Sequence, residues 1–254
     1  MKIIMRNKFY LVISFVLLSI TMAFSQETKK ESKDTLTIGA DLMSRYIFRG
    51  TDIGHGSPSI QPNLEYSRGK FAIGLWGAYS INITESQESD IYATYNVTDA
   101  ISFTLTDYYF PTDDGNYKYF DYKKLSTGHL LEANISYSGT EKLPLTAMLA
   151  TNFYGSDAIR KFKDGTPKGI QYSTYAELGY SLKWFDAFIG FNLTDPDESL
   201  GETGFYGDSF GVVNLGITAT KNVKITKSFD LPLTFSLITN PQAQKIYFVF
   251  GLSI

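Results

Sequence analysis

Apolar and polar residues alternate one by one along most of the chain after residue 35. In one such segment, Ala176, Leu178 and Tyr180 alternate with Glu177 and Gly179. Successive side chains of a β-strand point to opposite faces, so a period of two predicts strands with one apolar and one polar face. The pattern predicts twelve strands, at residues 36–49, 59–67, 70–80, 90–98, 101–110, 129–137, 145–154, 172–183, 185–194, 213–221, 231–239 and 245–254.

The segments between these strands differ in length in a regular way. Those after even-numbered strands are mostly short: 68–69, 99–100, 138–144 and 184. Those after odd-numbered strands are mostly long: 50–58, 81–89, 111–128, 155–171 and 195–210. The exceptions are a long tenth segment, 222–230, and a short eleventh, 240–244. Such alternation, with both chain ends on the short-turn side, is expected of outer-membrane barrels, whereas a soluble sandwich has no reason for it.

The last strand has an unbroken apolar face, formed by Ile246, Phe248, Phe250, Leu252 and Ile254. A strand of this kind must pair with the first one, because closure of the sheet leaves no edge unpaired. It also resembles the C-terminal signal of the outer-membrane assembly machinery, although such signals usually end in an aromatic residue. We therefore predict an all-β, closed, antiparallel up-and-down transmembrane barrel of twelve strands, roughly 24 Å across its backbone.

The N-terminus has the order of features of a secretory signal peptide. Lys2, Arg6 and Lys8 precede an apolar stretch at 9–20, and small residues stand at Ala23 and Ser25. We predict a signal peptide at 1–25, a disordered periplasmic tail at 26–35 and an outer-membrane barrel at 36–254. The chain contains no Cys, which excludes a disulfide framework and a lipoprotein anchor.

Composition narrows the class of partner. Without the three basic residues of the signal peptide, the chain has 20 basic and 26 acidic residues. Nucleic-acid binding requires an excess of basic residues. The 18 Tyr and 19 Phe residues suit an aromatic girdle at a membrane surface, so membrane lipid is the expected partner. Alternation alone does not tell which face is outside, so a secreted β protein with an apolar pocket is the alternative.

One stretch carries a family resemblance. Residues 44–50 (SRYIFRG), followed by 58–61 (PSIQ), Tyr66 and 74–77 (GLWG), resemble the opening motif of the TorF-like porin family of uncharacterised bacterial outer-membrane proteins. The resemblance covers residues 41–77. It implies a barrel with a pore and brings no established substrate.

Charged residues on the polar faces are the candidate functional residues. Asp41, Arg45 and Arg49 share one face of the first predicted strand, and the loop 50–58 would place Arg45 opposite Asn63 and diagonal to Glu65. These residues form either a charged constriction that selects solutes or an ion-pair network that stabilises the wall, and the two roles are compatible. By parity four further charged residues point inward: Glu132, Glu177, Asp186 and Lys245. The acidic excess favours cations or neutral solutes.

Enzyme and metal chemistry have weaker signals. A barrel phospholipase needs a Ser–His arrangement with His as the base, but His55 lies in a loop and His129 starts a strand, facing the lipid side or the rim. We therefore expect no catalysis and no cofactor. The loop 195–199 (DPDES) places oxygen ligands at alternate positions but lacks the Gly spacing and terminal Glu of an EF-hand. A solvated acidic loop is the default reading, and calcium binding is the alternative.

The sequence thus predicts a narrow passive outer-membrane channel for ions or small polar solutes, with no residue doing covalent work. The alternative is a structural or surface-interaction barrel with a filled lumen. The expected partners are outer-membrane lipid, the assembly machinery during biogenesis and small polar solutes, and not nucleic acid.

Overall fold

The computed structural model describes residues 34–82, 87–111, 118–123 and 126–254. The predicted signal peptide 1–25 and residues 26–33 of the predicted tail lie outside this part of the chain. Asp34 and Thr35, assigned to the tail, begin the first strand instead. No helix in the described residues is long and apolar enough to cross a membrane.

Sixteen strands and one short 3-10 helix, Glu198–Leu200, make up the regular structure of the described residues. The strands are β1 Asp34–Met43, β2 Ile47–Phe48, β3 Thr51–Asp52, β4 Ser59–Arg68, β5 Phe71–Ser80, β6 Gln87–Asn96, β7 Ile101–Tyr109, β8 His129–Tyr137, β9 Leu145–Gly155, β10 Ile159–Lys161, β11 Pro167–Ile170, β12 Thr174–Ser181, β13 Asp186–Asn192, β14 Gly211–Lys224, β15 Asp230–Asn240 and β16 Lys245–Ser253.

Twelve of these strands form one closed antiparallel barrel, and the predicted fold class is confirmed. The order around the barrel is β1, β16, β15, β14, β13, β12, β9, β8, β7, β6, β5 and β4. The remaining strands form two small hairpins, β2–β3 and β10–β11, within the connecting loops. Chain order and spatial order agree throughout, as expected of an up-and-down barrel.

The apolar face of each barrel strand lies on the outside. The exposed side chains of the wall include Leu75, Leu105, Leu178, Ile217 and Phe248. The residues between them point inward and are mostly Ser, Thr, Gly, Asn and acidic residues. This orientation excludes an apolar internal pocket of the lipocalin type, which was the alternative that the sequence left open.

The first and last barrel strands close the sheet. Asp41, Leu42 and Met43 of β1 lie opposite Ser253, Leu252 and Gly251 of β16. Ala40 and Ile254 exchange two backbone hydrogen bonds of 3.0 Å each. The edges of β1 and β16 are therefore paired with each other, as the apolar face of the last strand predicted.

The connections segregate by length at the two ends of the barrel. The short-turn end carries the turns 69–70, 97–100, 138–144, 182–185 and 225–229. The long-loop end carries the loops 44–58, 156–173, 193–210 and 241–244, together with the connections from β5 to β6 and from β7 to β8. The predicted long tenth connection is wrong, because β14 and β15 stay paired as far as Lys224 and Asp230. Pro232 lies within this ladder, opposite Asn222.

The first predicted strand is too long by six residues. Alternation continues to Arg49, but β1 ends at Met43, and residues 44–58 form a loop that contains β2 and β3. Arg49 and Gly50 both have positive φ angles, 50° and 84°, and a non-glycine residue in this region interrupts a strand. The prediction that Arg45 and Arg49 lie on the wall of the first strand is therefore wrong.

Closure between β1 and β16 is testable with cysteine pairs, because the natural chain has none. Asp41 and Ser253 form a non-hydrogen-bonded pair, flanked by the hydrogen-bonded pair Ala40–Ile254. Such pairs have Cα atoms about 4.5 Å apart, within the range of a disulfide. We expect the double variant Asp41→Cys/Ser253→Cys to crosslink on oxidation, detected as a shift in gel migration that reductant reverses.

The control for this experiment is Asp41→Cys with Leu252→Cys, whose side chains point to opposite faces of the sheet. Crosslinking of the control pair, or its absence in the matched pair, would contradict this register.

Candidate functional site

The loop 44–58 turns into the long-loop end of the barrel and is anchored at Gly50. The Gly50 carbonyl accepts a 3.3 Å hydrogen bond from Asn240 Nδ2, and a Cβ at this position would lie 2.0 Å from the Val213 carbonyl oxygen. Only glycine allows so close an approach with a φ of 84°. This contact with β14 and β15 directs the preceding residue, Arg49, into the barrel.

Arg49 forms a bidentate ion pair with Glu132, which faces inward from β8. The Nη1–Oε2 distance is 2.5 Å and the Nη2–Oε1 distance is 2.9 Å. The two side chains are only 8% and 1% exposed. A bidentate pair of this kind satisfies both charges and fixes their geometry, so it ties the loop to the opposite wall.

Aromatic side chains enclose this ion pair. The guanidinium carbon of Arg49 lies 4.7, 4.9 and 5.2 Å from the ring centroids of Phe48, Tyr175 and Tyr206. The Tyr206 hydroxyl accepts a 2.6 Å hydrogen bond from Arg49 and lies 2.9 Å from Glu132, to which it donates. We call this set of five residues, Phe48, Arg49, Glu132, Tyr175 and Tyr206, the arginine cage.

The surroundings of Arg49 and Tyr206 raise the pKa of both side chains. Burial by itself lowers the pKa of the Arg49 guanidinium, but Tyr206 and Glu132 outweigh it, and the net pKa lies above the ordinary value. Burial also raises the pKa of the Tyr206 hydroxyl. Tyr206 is therefore protonated near neutral pH and donates to Glu132.

Glu177 of β12 and Asn214 of β14 connect Tyr175 of the cage to the barrel wall. The Tyr175 hydroxyl donates to Glu177, and Asn214 Nδ2 donates to both at 2.9 and 3.1 Å. Gly190 leaves room for the tyrosine, since a Cβ there would lie 1.9 Å from the Tyr175 hydroxyl oxygen. Tyr175, Tyr206 and Val213 also form a buried apolar cluster, so the cage is packed as well as hydrogen-bonded.

Arg45, another predicted residue, forms contacts separate from the cage. Arg45 pairs with Asp52 at 2.6 Å, with side chains 35% and 15% exposed, and lies over the Tyr247 ring at 5.7 Å. The prediction that it faces Asn63 and Glu65 is wrong, because β1 ends before it.

On β4, Asn63 is paired in register with Trp76, and Glu65 accepts a 2.9 Å hydrogen bond from the Tyr92 hydroxyl. The remaining predicted residues are dispersed along the barrel. Asp41 is half-buried opposite Ser253, Asp186 is exposed at the short-turn rim, and Lys245 is exposed at the long-loop rim. Of the nine predicted residues, the structure joins Arg49 to Glu132 directly and brings Glu177 to the cage through Tyr175.

Three tyrosines of this region are not among the residues predicted from the sequence. Tyr108 donates a 3.2 Å hydrogen bond to Glu132, and its inward direction follows from the alternation of β7. Tyr175 is likewise inward by parity. Tyr206 lies in the loop 193–210, which has no period of its own, so no sequence signal places it in the barrel.

Between the cage and the short-turn end, the inner wall carries small hydroxyl side chains. Thr94 and Thr104 are hydrogen-bonded at 2.9 Å, and Thr218 and Ser236 at 2.8 Å. Each pair joins neighbouring strands, so these hydroxyls are satisfied along the wall and do not reach across the lumen. The three threonines of these pairs are partly buried.

Neither histidine lies at the cage. His129 is fully buried, with Nδ1 2.8 Å from Asp107 and Nε2 2.5 Å from the Tyr119 carbonyl oxygen. Its ring stacks on Tyr122 at 4.0 Å between centroids, and its register partner is Tyr109. These contacts attach the segment 118–123 to β7 and β8. His55 is exposed in the loop 44–58.

The acidic loop 195–199 uses its carboxylates as caps. Asp197 accepts hydrogen bonds from the Ser199 amide and hydroxyl, at 3.0 and 2.6 Å, and begins the 3-10 helix. Asp195 accepts one from the Phe210 amide at 3.2 Å. Within the described ranges, no three His, Cys, Asp or Glu residues are grouped so as to hold a metal ion.

Comparison with known families identifies the chain. The profile of a bacterial protein family of unknown function, Gcw_chp, matches residues 27–160, more than half of the chain. The chain belongs to the Gcw_chp family. No curated protein matches it. The Gcw_chp region contains both partners of the ion pair, Arg49 and Glu132, whereas Tyr175 and Tyr206 lie beyond it.

The ion pair of the arginine cage is expected to be a major source of stability. Removal of one partner leaves a buried charge unpaired, which costs about 3–5 kcal/mol. We expect Arg49→Gln or Glu132→Gln to lower the free energy of unfolding by this amount, measured by urea titration of the folded barrel.

Arg45→Gln is the matched control, because the Arg45–Asp52 pair is partly exposed and is expected to contribute at most about 1 kcal/mol. Equal losses of unfolding free energy in the cage variants and in the control would contradict a larger contribution from the buried pair.

Proposed function

We propose that the chain is an outer-membrane barrel that forms a narrow channel for ions and small polar solutes, constricted at the arginine cage. The observation that carries this proposal is the contrast between the two faces of the wall. The outer face is apolar, and the inner face is polar, with hydroxyl pairs such as Thr94–Thr104 and Thr218–Ser236.

The outer face supports a membrane location. Large apolar side chains are exposed on nearly every barrel strand, among them Ile73, Phe103, Leu149, Leu237 and Phe250. In water, so large an apolar surface would favour aggregation, whereas in lipid it is the surface that a barrel needs. Trp184 and Phe185 are exposed at the short-turn end, where a girdle of aromatic residues would meet lipid headgroups. The resemblance of residues 44–50 to the TorF-like porins and the predicted signal peptide favour the same location.

The inner face supports passage of small polar solutes. Toward the short-turn end the inner wall carries hydroxyl pairs, Thr94–Thr104 and Thr218–Ser236, whose hydrogen bonds run along the wall. These groups offer donors and acceptors to polar solutes. Passive passage requires no covalent step, so no residue is assigned a catalytic role.

The arginine cage supplies the constriction. Arg49 is the cation at its centre and is neutralised by Glu132, while Glu177 and Glu65 add negative charge to the same lumen. The lumen therefore favours cations and neutral polar solutes over anions.

A second candidate function is a non-transporting barrel that presents its loops to a partner. The close packing of the cage favours it, since Tyr175, Val213 and Asn152 have no exposed surface. In this case the cage is a permanent plug, and the hydroxyl-lined part of the lumen is a closed vestibule.

Membrane location is testable with two neighbouring residues of β14. Ile217 points outward and Thr218 points inward. In a lipid bilayer, Ile217→Lys is expected to destabilise the folded barrel by about 2–4 kcal/mol. Thr218→Lys is expected to cost about 1 kcal/mol, the value of one hydrogen bond. Urea titration of the folded fraction in phospholipid vesicles measures both. A neutral or stabilising effect of Ile217→Lys would contradict a lipid-facing position.

Conduction is testable in planar bilayers. We expect small discrete current steps from the natural barrel and larger steps from the charge-neutral double variant Arg49→Ala/Glu132→Ala, because both side chains occupy the constriction. Arg160→Ala removes an ion pair between two loops, with Glu202, and is expected to leave the step size unchanged. A folded barrel that is electrically silent in all three forms would contradict the channel and support the second candidate.

A further inference from the structure

Two carboxylates with no role in the arginine cage lie buried inside the barrel. Glu88 and Asp90 are 2% and 5% exposed, and they stand two residues apart on β6, so both side chains point to the same inner face. Their register partners on β5 are Ala78 and Trp76.

Both carboxylates have an acceptor that nothing satisfies. Oε2 of Glu88 and Oδ1 of Asp90 are buried and have no hydrogen-bond partner among the described residues. Within the same residues, neither acid forms an ion pair with Lys or Arg, and the nearby Arg49 is taken up by Glu132. An uncompensated buried carboxylate is costly, and two side by side are more so. The two acids are hydrogen-bonded to each other, and either a proton between them or a bound cation offsets the cost of their burial.

Two neutral polar side chains lie on the same inner wall as this pair. Gln61 and Ser59 of β4 are buried on the same inner wall, one strand beyond β5. Gln61 Nε2 donates a 3.0 Å hydrogen bond to Ser59 Oγ, which leaves the amide oxygen of Gln61 for another contact. On the loop side, the Tyr46 hydroxyl interacts with Glu88, and the Tyr46 ring packs on Trp76 at 5.5 Å.

We propose that Glu88 and Asp90 bind a hard divalent cation of the calcium class, with Gln61 and Ser59 contributing neutral oxygen ligands. Two carboxylates balance the charge of one divalent cation. The surrounding donors are oxygens of acids, an amide and a hydroxyl, which calcium prefers and accepts in irregular geometry. The site is separate from the arginine cage and does not depend on conduction. A proton shared by the two acids is the competing way to satisfy them, and the experiment separates the two.

Terbium luminescence tests this site, because Tb³⁺ occupies calcium sites and emits when a nearby tryptophan is excited. The chain has two tryptophans, Trp76 and Trp184. Trp76 is the register partner of Asp90, whereas Trp184 is exposed in the turn 182–185 at the short-turn end. The probe is Tb³⁺ added to the folded barrel in detergent micelles, followed by displacement with Ca²⁺.

We expect sensitised emission from the natural barrel that Ca²⁺ displaces. The emission should disappear in Trp76→Phe and persist in Trp184→Phe. Asp90→Asn and Glu88→Gln should each weaken Ca²⁺ binding by roughly 100-fold or more, since loss of an outer-shell partner alone costs 10–100-fold. Glu65→Gln is the control, because this inward acid of β4 already has a partner in Tyr92.

Three outcomes would overturn the proposal. They are no sensitised emission from the natural barrel, emission that survives in Glu88→Gln/Asp90→Asn, and emission that depends on Trp184 in place of Trp76. The first outcome would favour the shared proton, and the other two would indicate binding at the surface. Should the double variant fail to fold, calorimetric titration of the natural barrel and of Trp76→Phe with Ca²⁺ gives the stoichiometry, for which the proposal requires one ion in each.

Discussion

The buried ion pair between Arg49 and Glu132 determines how the interior of this barrel is arranged. A guanidinium and a carboxylate removed from water must each be fully satisfied, or the structure loses several kcal/mol. Here the interacting groups come from three segments that are distant in the chain. The loop 44–58 supplies Arg49, the strand β8 supplies Glu132 and the loop 193–210 supplies Tyr206. Withdrawal of the loop 44–58 would leave Glu132 buried without its partner, so this loop stays inside the barrel. The loop 193–210 adds hydrogen bonds between Tyr206 and both charged groups. The packing of Phe48, Tyr175 and Val213 follows from that position.

The closed sheet places a different demand on the chain. Each of the twelve barrel strands is paired with a neighbour on both sides, so the backbone of the wall is satisfied without contacts to the contents of the lumen. The inner face is then available for polar side chains, provided that each one finds a partner. Near the short-turn end, hydroxyl pairs on adjacent strands meet this condition within the wall. At the long-loop end, larger inward side chains meet it only with the help of the loops, and Glu88 and Asp90 fail to meet it with the described residues alone.

The strands were predictable from the sequence because a wall with lipid or solvent on one side and a polar lumen on the other imposes a strict period of two. All twelve predicted strands are present. The errors arose where the alternation is a poor guide to backbone conformation. Residues 44–49 keep the period, yet the positive φ of Arg49 ends any strand there. Glu88 was left out because β6 begins at Gln87, before the predicted start at residue 90.

The candidate site was only half predictable for a related reason. Parity on a strand gives the direction of Glu132 and Glu177, since it depends on local geometry alone. The partner of Glu132 is set by the path of a loop, which depends on a close approach of Gly50 to Val213 more than 160 residues away in the chain. No local pattern records a contact of that kind.

The pairing of β1 with β16 has a consequence for how the barrel is made. The seam joins residues at nearly opposite ends of the sequence, such as Asp41 and Ser253, so it can form only after the last strand has been synthesised. Until then β1 has an unpaired edge, and the apolar faces of the strands are not yet part of a closed barrel. Folding dominated by such distant contacts is slow. The unclosed chain therefore needs to be kept from self-association until the seam forms, and seam formation is the step that commits it to the barrel.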